Sequence, residues 1–176
     1  MKPKQKIDVI SATLLLIVGI AVLVTPRFIE IKNVKTICVV VFSAFAIINL
    51  IKFFINKDSK DIEGLITFFA NLVTILAIAF VKTENIPMDL SIILMIWIIL
   101  MSLIKLKKAD YYHDRRDRMW KLNVFMLVLF IITGLLTAIN LAYESSVQLI
   151  VIGFFFFVNG ILQMIDPIVK SLINHG

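Results

Sequence analysis

One cysteine, Cys38, and two histidines, His113 and His175, are all that this chain offers in two of the most chemically versatile residue types. A single cysteine excludes an intrachain disulfide. The histidines stand in no HExxH pattern and in no ligand cluster, so the sequence carries no signature of a metal site. Glycine and proline are scarce as well, at six and four residues, which concentrates any close helix crossing at a few positions. No acid, base or histidine falls near the middle of any apolar segment. Ionisable residues inside a membrane are the usual marks of proton pumps and charge-coupled carriers, and their absence here argues against both.

Apolar residues fill most of the chain. They make up 60% of its 176 positions, and a mean hydropathy of +0.99 lies far above that of soluble domains. The expected membrane segments are Val9 to Val24, Thr36 to Ile55, Leu65 to Val81, Leu90 to Leu106, Leu122 to Ala142 and Val147 to Ile165. Each is close to the roughly 20 residues that a helix needs to cross a bilayer. The expected fold is therefore all-α: a polytopic membrane protein with six transmembrane helices in a single domain, 1–176. Lys2, Lys4 and Lys6 ahead of the first segment fit the start of a signal peptide, but no small-x-small cleavage site follows, so the segment is expected to be retained.

The net charge of +6 reads as a topology signal. Fourteen basic residues fall on one side: Lys2, Lys4, Lys6, Lys52, Lys57, Lys60, Lys105, Lys107, Lys108, Arg115, Arg116, Arg118, Lys121 and Lys170. Four fall on the other: Arg27, Lys32, Lys35 and Lys82. The positive-inside rule puts both termini in the cytoplasm, and nucleic-acid binding is not needed to explain the charge.

The segments form three consecutive pairs. Gly19, Thr74 and Gly134 mark the first member of each pair, and Asn49, Ser102 and Gly160 the second, recurring at roughly 53 to 60 residues. Three tandem helical hairpin repeats follow, at approximately 7–56, 62–108 and 119–166. All three face the same way, unlike the inverted repeats of many transporters.

The run LLLIVGIAVLVTP (Leu14 to Pro26), and Arg118-Met119-Trp120 leading into FMLVLFIITGLLTAIN and VIGFFFFVNGILQMIDP, resemble the HdeD-like acid-resistance membrane proteins. The middle repeat departs from that pattern with Thr74 and Ser102 at positions where the family tends to glycine. The resemblance implies six spans built from hairpins, a bacterial inner-membrane location and a role in stress tolerance without catalysis. It implies no cofactor.

Neutral polar residues remain inside the segments. Asn49, Asn71, Thr74, Asn140, Asn159 and Gln163 are candidates for a polar seam between repeats, either bonding helix to helix or lining a path for a small solute or ion. Lys52 and Lys105, at helix ends, are expected to snorkel to the interface. Asp166 is expected to sit in water where Pro167 interrupts the last helix. In the run Phe154 to Phe157, which points all round its helix, some rings must face lipid or a second protomer.

The longest polar stretch, the basic loop 107–121, reads KKADYYHDRRDRMWK. Lys107, Lys108, Arg115, Arg116, Arg118 and Lys121 suit contact with anionic lipid at the cytoplasmic face, and Tyr111, Tyr112 and Trp120 suit the headgroup layer. Expected partners are the lipid bilayer and either a second copy or another membrane protein. Two functions fit: a non-catalytic protein supporting acid or envelope stress tolerance, or a channel or transporter for a small solute or ion. An enzyme fits less well.

Overall fold

The computed structural model describes residues 3–24, 32–55, 62–81, 86–117, 119–143 and 148–173. They form helices α1 (Pro3–Val24), α2 (Lys32–Ile55), α3 (Ile62–Ala79), α4 (Ile86–Asp114), α5 (Met119–Tyr143) and α6 (Gln148–Ile173). No strand occurs among the described residues. Five of these helices contain a stretch long and apolar enough to cross a membrane: Gln5–Val24, Asn33–Ile55, Met88–Asp114, Met119–Ala142 and Ile150–Leu172. The corresponding stretch of α3, Glu63–Ala79, is shorter. Large apolar side chains stand exposed on all six, among them Ile17, Val40, Phe69, Ile96, Phe125 and Phe154. So much outward apolar surface belongs in hydrocarbon. This is a helical membrane-protein architecture.

Side-chain bonds fix the helices antiparallel. Lys35 near the start of α2 donates to the carbonyls of Ala79 and Val81 at the end of α3, at 3.1 and 2.9 Å. A lysine there satisfies carbonyls that the helix leaves open and complements its dipole. Ser91 near the start of α4 donates to the Ala138 carbonyl late in α5, over 2.6 Å.

Three seams are the most extensive: α1 on α6, α4 on α5, and α2 on α3. Every glycine of the described helices sits at one of them. A Cβ on Gly19 would lie 2.7 Å from the Phe157 Cα and 2.9 Å from the Gly153 carbonyl oxygen, and one on Gly160 2.8 Å from the Leu16 nitrogen. The backbones of α1 and α6 therefore touch, which only a missing side chain allows. At the α4–α5 seam the neighbour of Gly134 is side chain, the Ile98 sec-butyl group.

Two boundaries differ from the sequence expectation. First, α4 runs on to Asp114 and α5 begins at Met119, so most of the expected loop 107–121 is helix. It stops where Arg116 turns left-handed, at φ 54°. There the Arg116 and Asp117 amides donate to the carbonyls of His113 and Tyr112, at 2.9 and 3.0 Å. This is a Schellman closure, made with arginine where glycine is usual. Asp117 then caps α5, its Oδ1 accepting from the Met119 amide at 2.9 Å. Second, α6 continues through Pro167 to Ile173. The proline removes one backbone bond, while Lys170 bonds to Asp166 one turn back and ties the helix across that point.

Candidate functional site

The inward stripes of four helices each start from charge at one end; those of α2 and α6 pass through amides to rings, that of α4 goes directly to apolar side chains, and that of α3 stays neutral and polar. On α4 the series is Lys108, Lys105, Met101, Trp97 and Leu94. On α6 it is Asp166, Gln163, Asn159 and Phe155, on α2 Lys52, Asn49, Phe45 and Phe42, and on α3 Glu63, Thr67, Asn71 and Thr74. These are steps of three or four residues, hence one face of each helix. Antiparallel packing brings all the charged ends together. The bundle is thus polar at one end of its interior and apolar at the other.

At the charged end lies a cavity of about 90 Å³ with walls from α1, α2, α3, α4 and α6. Lys52 reaches Asp8 at 2.6 Å. Lys108 lies 2.9 Å from Asp166 and 3.8 Å from Glu63, and Lys170 reaches the same Asp166 oxygen at 2.9 Å. Three carboxylates thus engage three lysines, tying the ends of α1, α2, α3, α4 and α6. Lys105 is different. Its Nζ sits over the Phe130 ring, 5.0 Å from the centroid, and among the described residues no carboxylate lies within 4.0 Å of it. Asp166 keeps a second vacancy: Oδ2 accepts from both Lys108 and Lys170, while Oδ1 is buried with no donor. Ser11, Asn49, Thr67 and Gln163 complete the polar lining, with Ser11 Oγ donating to Gln163 Oε1 at 3.5 Å.

Past this chamber the interior narrows. A space of about 10 Å³ between Asn159, Gln163, Trp97 and the rings of Phe42, Phe45, Phe155 and Phe156 has room for about one water. Trp97 then closes the axis. Its ring centroid lies 5.1 Å from Phe42, 5.9 Å from Phe130 and 6.1 Å from Phe155, each edge to face. Such aromatic contacts are favourable beyond the area that they bury. Beyond the rings a space of about 20 Å³ is lined by Cys38, Thr74, Ile78, Leu90, Leu141 and other mostly apolar side chains.

The expected seam is brought together only in part. Asn49 and Gln163 line the chamber, and Asn159 faces the narrow space beside Gln163. Asn71 accepts the Trp97 indole N–H at 2.9 Å behind the aromatic cluster, and its own Nδ2 is unpaired. Thr74 bonds to its own helix at Ala70 and reaches only the apolar space. Asn140 bonds to the Leu136 carbonyl from an exposed position and lines none of these cavities. Its placement follows from the helix surface: it shares a stripe with the exposed Leu136, while Thr137 and Leu141 take the inward face.

Lys52 and Lys105 do not snorkel outward; both turn into the chamber, where carboxylates and a ring face await them. Of the basic residues expected at anionic lipid, Lys108 is likewise committed inward. Lys107 and Arg116 are exposed, Arg115 stacks on Tyr111 at 4.1 Å and Lys121 lies 5.9 Å from the Trp120 ring, so these remain at the surface. Arg118 lies outside the described residues, as does His175. His113 packs edge-on to Trp120 at 5.1 Å. In the phenylalanine run, Phe155 and Phe156 are buried and Phe154 is exposed.

Asp8, Glu63 and Thr67 were not singled out by the sequence reading. The signal was there, in the charge–amide–ring order on the inner stripes of α2 and α6, but it becomes visible only when the helices are read from the same end. Compared with protein-family models, curated proteins and solved structures, the chain matches none of them.

Proposed function

We propose that the chain is a non-catalytic bacterial inner-membrane protein of HdeD-like build, crossing the bilayer six times with both termini in the cytoplasm and supporting acid or envelope stress tolerance. The observation that carries this reading is the closed aromatic centre: Trp97, Phe42, Phe130 and Phe155 fill the axis between a polar chamber at one end and an apolar space at the other. A body sealed in this way suits a structural or signalling role better than conduction.

A sixth crossing is supported by the length of α3. Its 18 residues span about 27 Å at 1.5 Å each, near the roughly 30 Å of a hydrocarbon core. Three hairpin repeats are supported by the alternation of seams. The extensive ones, α2 on α3, α4 on α5 and α6 on α1, each join the second helix of one pair to the first of the next. The basic charge at the chamber end supports a cytoplasmic orientation.

A second reading, a solute or ion pathway, is favoured by the chamber itself, whose polar walls run as far as Asn159 before the rings block them. Ion and proton flux into proteoliposomes, at neutral and acidic outside pH, separates the two. The sealed reading expects flux no greater than that of empty vesicles; flux abolished in Asn159→Leu would move the proposal to the pathway. Acid survival of cells lacking the protein, with and without complementation, tests the stress role directly.

A further inference from the structure

We infer that the charged chamber is a binding site for a small hydroxyl-bearing oxyanion of the hydrogen carbonate or dihydrogen phosphate kind, held between Lys105 and Asp166. Neither reading of the overall function is required for this.

Two vacancies of opposite character face one space. Lys105 is a cation that lines the cavity with no carboxylate beside it. Among the described residues around the cavity and its rim, four lysines (Lys52, Lys105, Lys108 and Lys170) face three carboxylates (Asp8, Glu63 and Asp166), which leaves one positive charge over in that set. A monovalent anion balances it. Asp166 Oδ1, in contrast, is a buried acceptor on the same cavity wall that no group among the described residues supplies with a hydrogen. A buried acceptor left unpaired is costly, and more so when it is charged. A bare halide answers the first vacancy and aggravates the second.

An oxyanion with one ionised oxygen and one hydroxyl answers both, with O⁻ toward the Lys105 ammonium and O–H toward Asp166. Thr67 and the Gln163 amide, on the same walls, offer further hydrogen-bonding groups. The size also fits. A cavity of about 90 Å³ is several times the 10–15 Å³ that one water needs on the same measure, which leaves room for an ion of four or five heavy atoms.

The test uses the purified full-length protein in maltoside detergent, in a buffer free of phosphate and carbonate, with ionic strength held constant by chloride. The thermal-unfolding midpoint is followed as chloride is exchanged for hydrogen carbonate or for phosphate. The proposal expects the midpoint to rise with either oxyanion. It also expects Lys105→Met, which keeps the apolar stem over Phe130, to shift the half-effective concentration upward by about tenfold to a hundredfold. Chloride acting as well as the oxyanions, or a Lys105→Met response equal to that of the native protein, would overturn it. Should Lys105→Met fail to fold, the comparison with chloride in the native protein decides alone. A lipid phosphate monoester presents the same oxygens, so short-chain phosphatidic acid is a further arm; stabilisation by that lipid and by neither free ion would overturn the assignment to a solute.

Discussion

The indole N–H of Trp97 on α4 is bound by the amide oxygen of Asn71 on α3, across 2.9 Å of fully buried interior. That bond orients the ring against which Phe42, Phe130 and Phe155 pack, so a polar pair deep in the bundle sets the geometry of an apolar plug.

Replacing Asn71 with leucine leaves the indole donor without an acceptor, and interhelical bonds of this kind are worth about 0.6 kcal/mol in membranes, up to about 1.7. The expected loss for Asn71→Leu is about 1 kcal/mol of stability in a detergent or bicelle unfolding titration. In a Trp97→Phe background the same change should cost less, because no donor is then stranded. Equal losses in both backgrounds would show that the bond contributes nothing.

Lys108 holds two carboxylates at once, Asp166 at 2.9 Å and Glu63 at 3.8 Å, and its side chain is 26% exposed. Breaking a buried pair typically costs about 3–5 kcal/mol; because this lysine is partly exposed and Lys170 still serves Asp166, the expectation for Lys108→Met is about 3 kcal/mol, at the lower end. Adding Asp166→Asn should restore part of the loss, since it removes a buried charge that then has Lys170 as its one remaining lysine among the described residues. A double variant worse than the sum of the singles would contradict this account.

Glycine substitutions should separate backbone contact from side-chain contact. Gly19→Ala and Gly160→Ala push a methyl into the backbone of the facing helix, whereas Gly134→Ala meets only side-chain atoms, the Cδ1, Cγ1 and Cγ2 of Ile98 at 2.8, 2.9 and 3.0 Å. Overpacking costs about 1–3 kcal/mol, against a gain of up to about 1 kcal/mol in helix propensity. The first two should therefore lower the unfolding midpoint clearly, and Gly134→Ala should lower it least.

The polarity gradient predicts where reagents reach. Cys38 is buried among apolar side chains on the far side of the rings, while Ser11 lines the chamber. A water-soluble maleimide should leave native Cys38 unlabelled and should label Ser11→Cys. Mass spectrometry of the two proteins checks this, and rapid labelling of Cys38 would mean that the aromatic centre opens.

The helical class was legible because bilayer-length apolar runs have few other uses, and the glycine crossings because a residue without a side chain in an apolar helix marks close approach. The fate of the lysines was not legible. Snorkelling and inward pairing demand the same residue at the same helix end, and only the neighbouring helix decides which occurs: Asp8 beside Lys52, Glu63 and Asp166 beside Lys108. The continuation of α4 to Asp114 was missed because charge was read as loop. The run from Lys107 to Asp114 contains no glycine or proline, and its residues are adequate helix formers once a preceding helix nucleates them. The position of Asn140 is not legible in the same way: an amide in an apolar helix marks a polar group that wants a partner, but not which side of the helix carries it, and here its own helix supplies the partner at Leu136.

The glycine-lined seam between α1 and α6 also bears on how the protein is made. Of these six helices, the first to leave the ribosome has as its principal neighbour the last, so α1 must wait in the membrane with its Gly19 notch unfilled by α6 while the four helices between them are synthesised. Assembly of the bundle is then a ring-closing event governed by the arrival of α6, and the insertion machinery or a chaperone that shelters α1 in the interval acts on the step that the rest of the architecture depends upon.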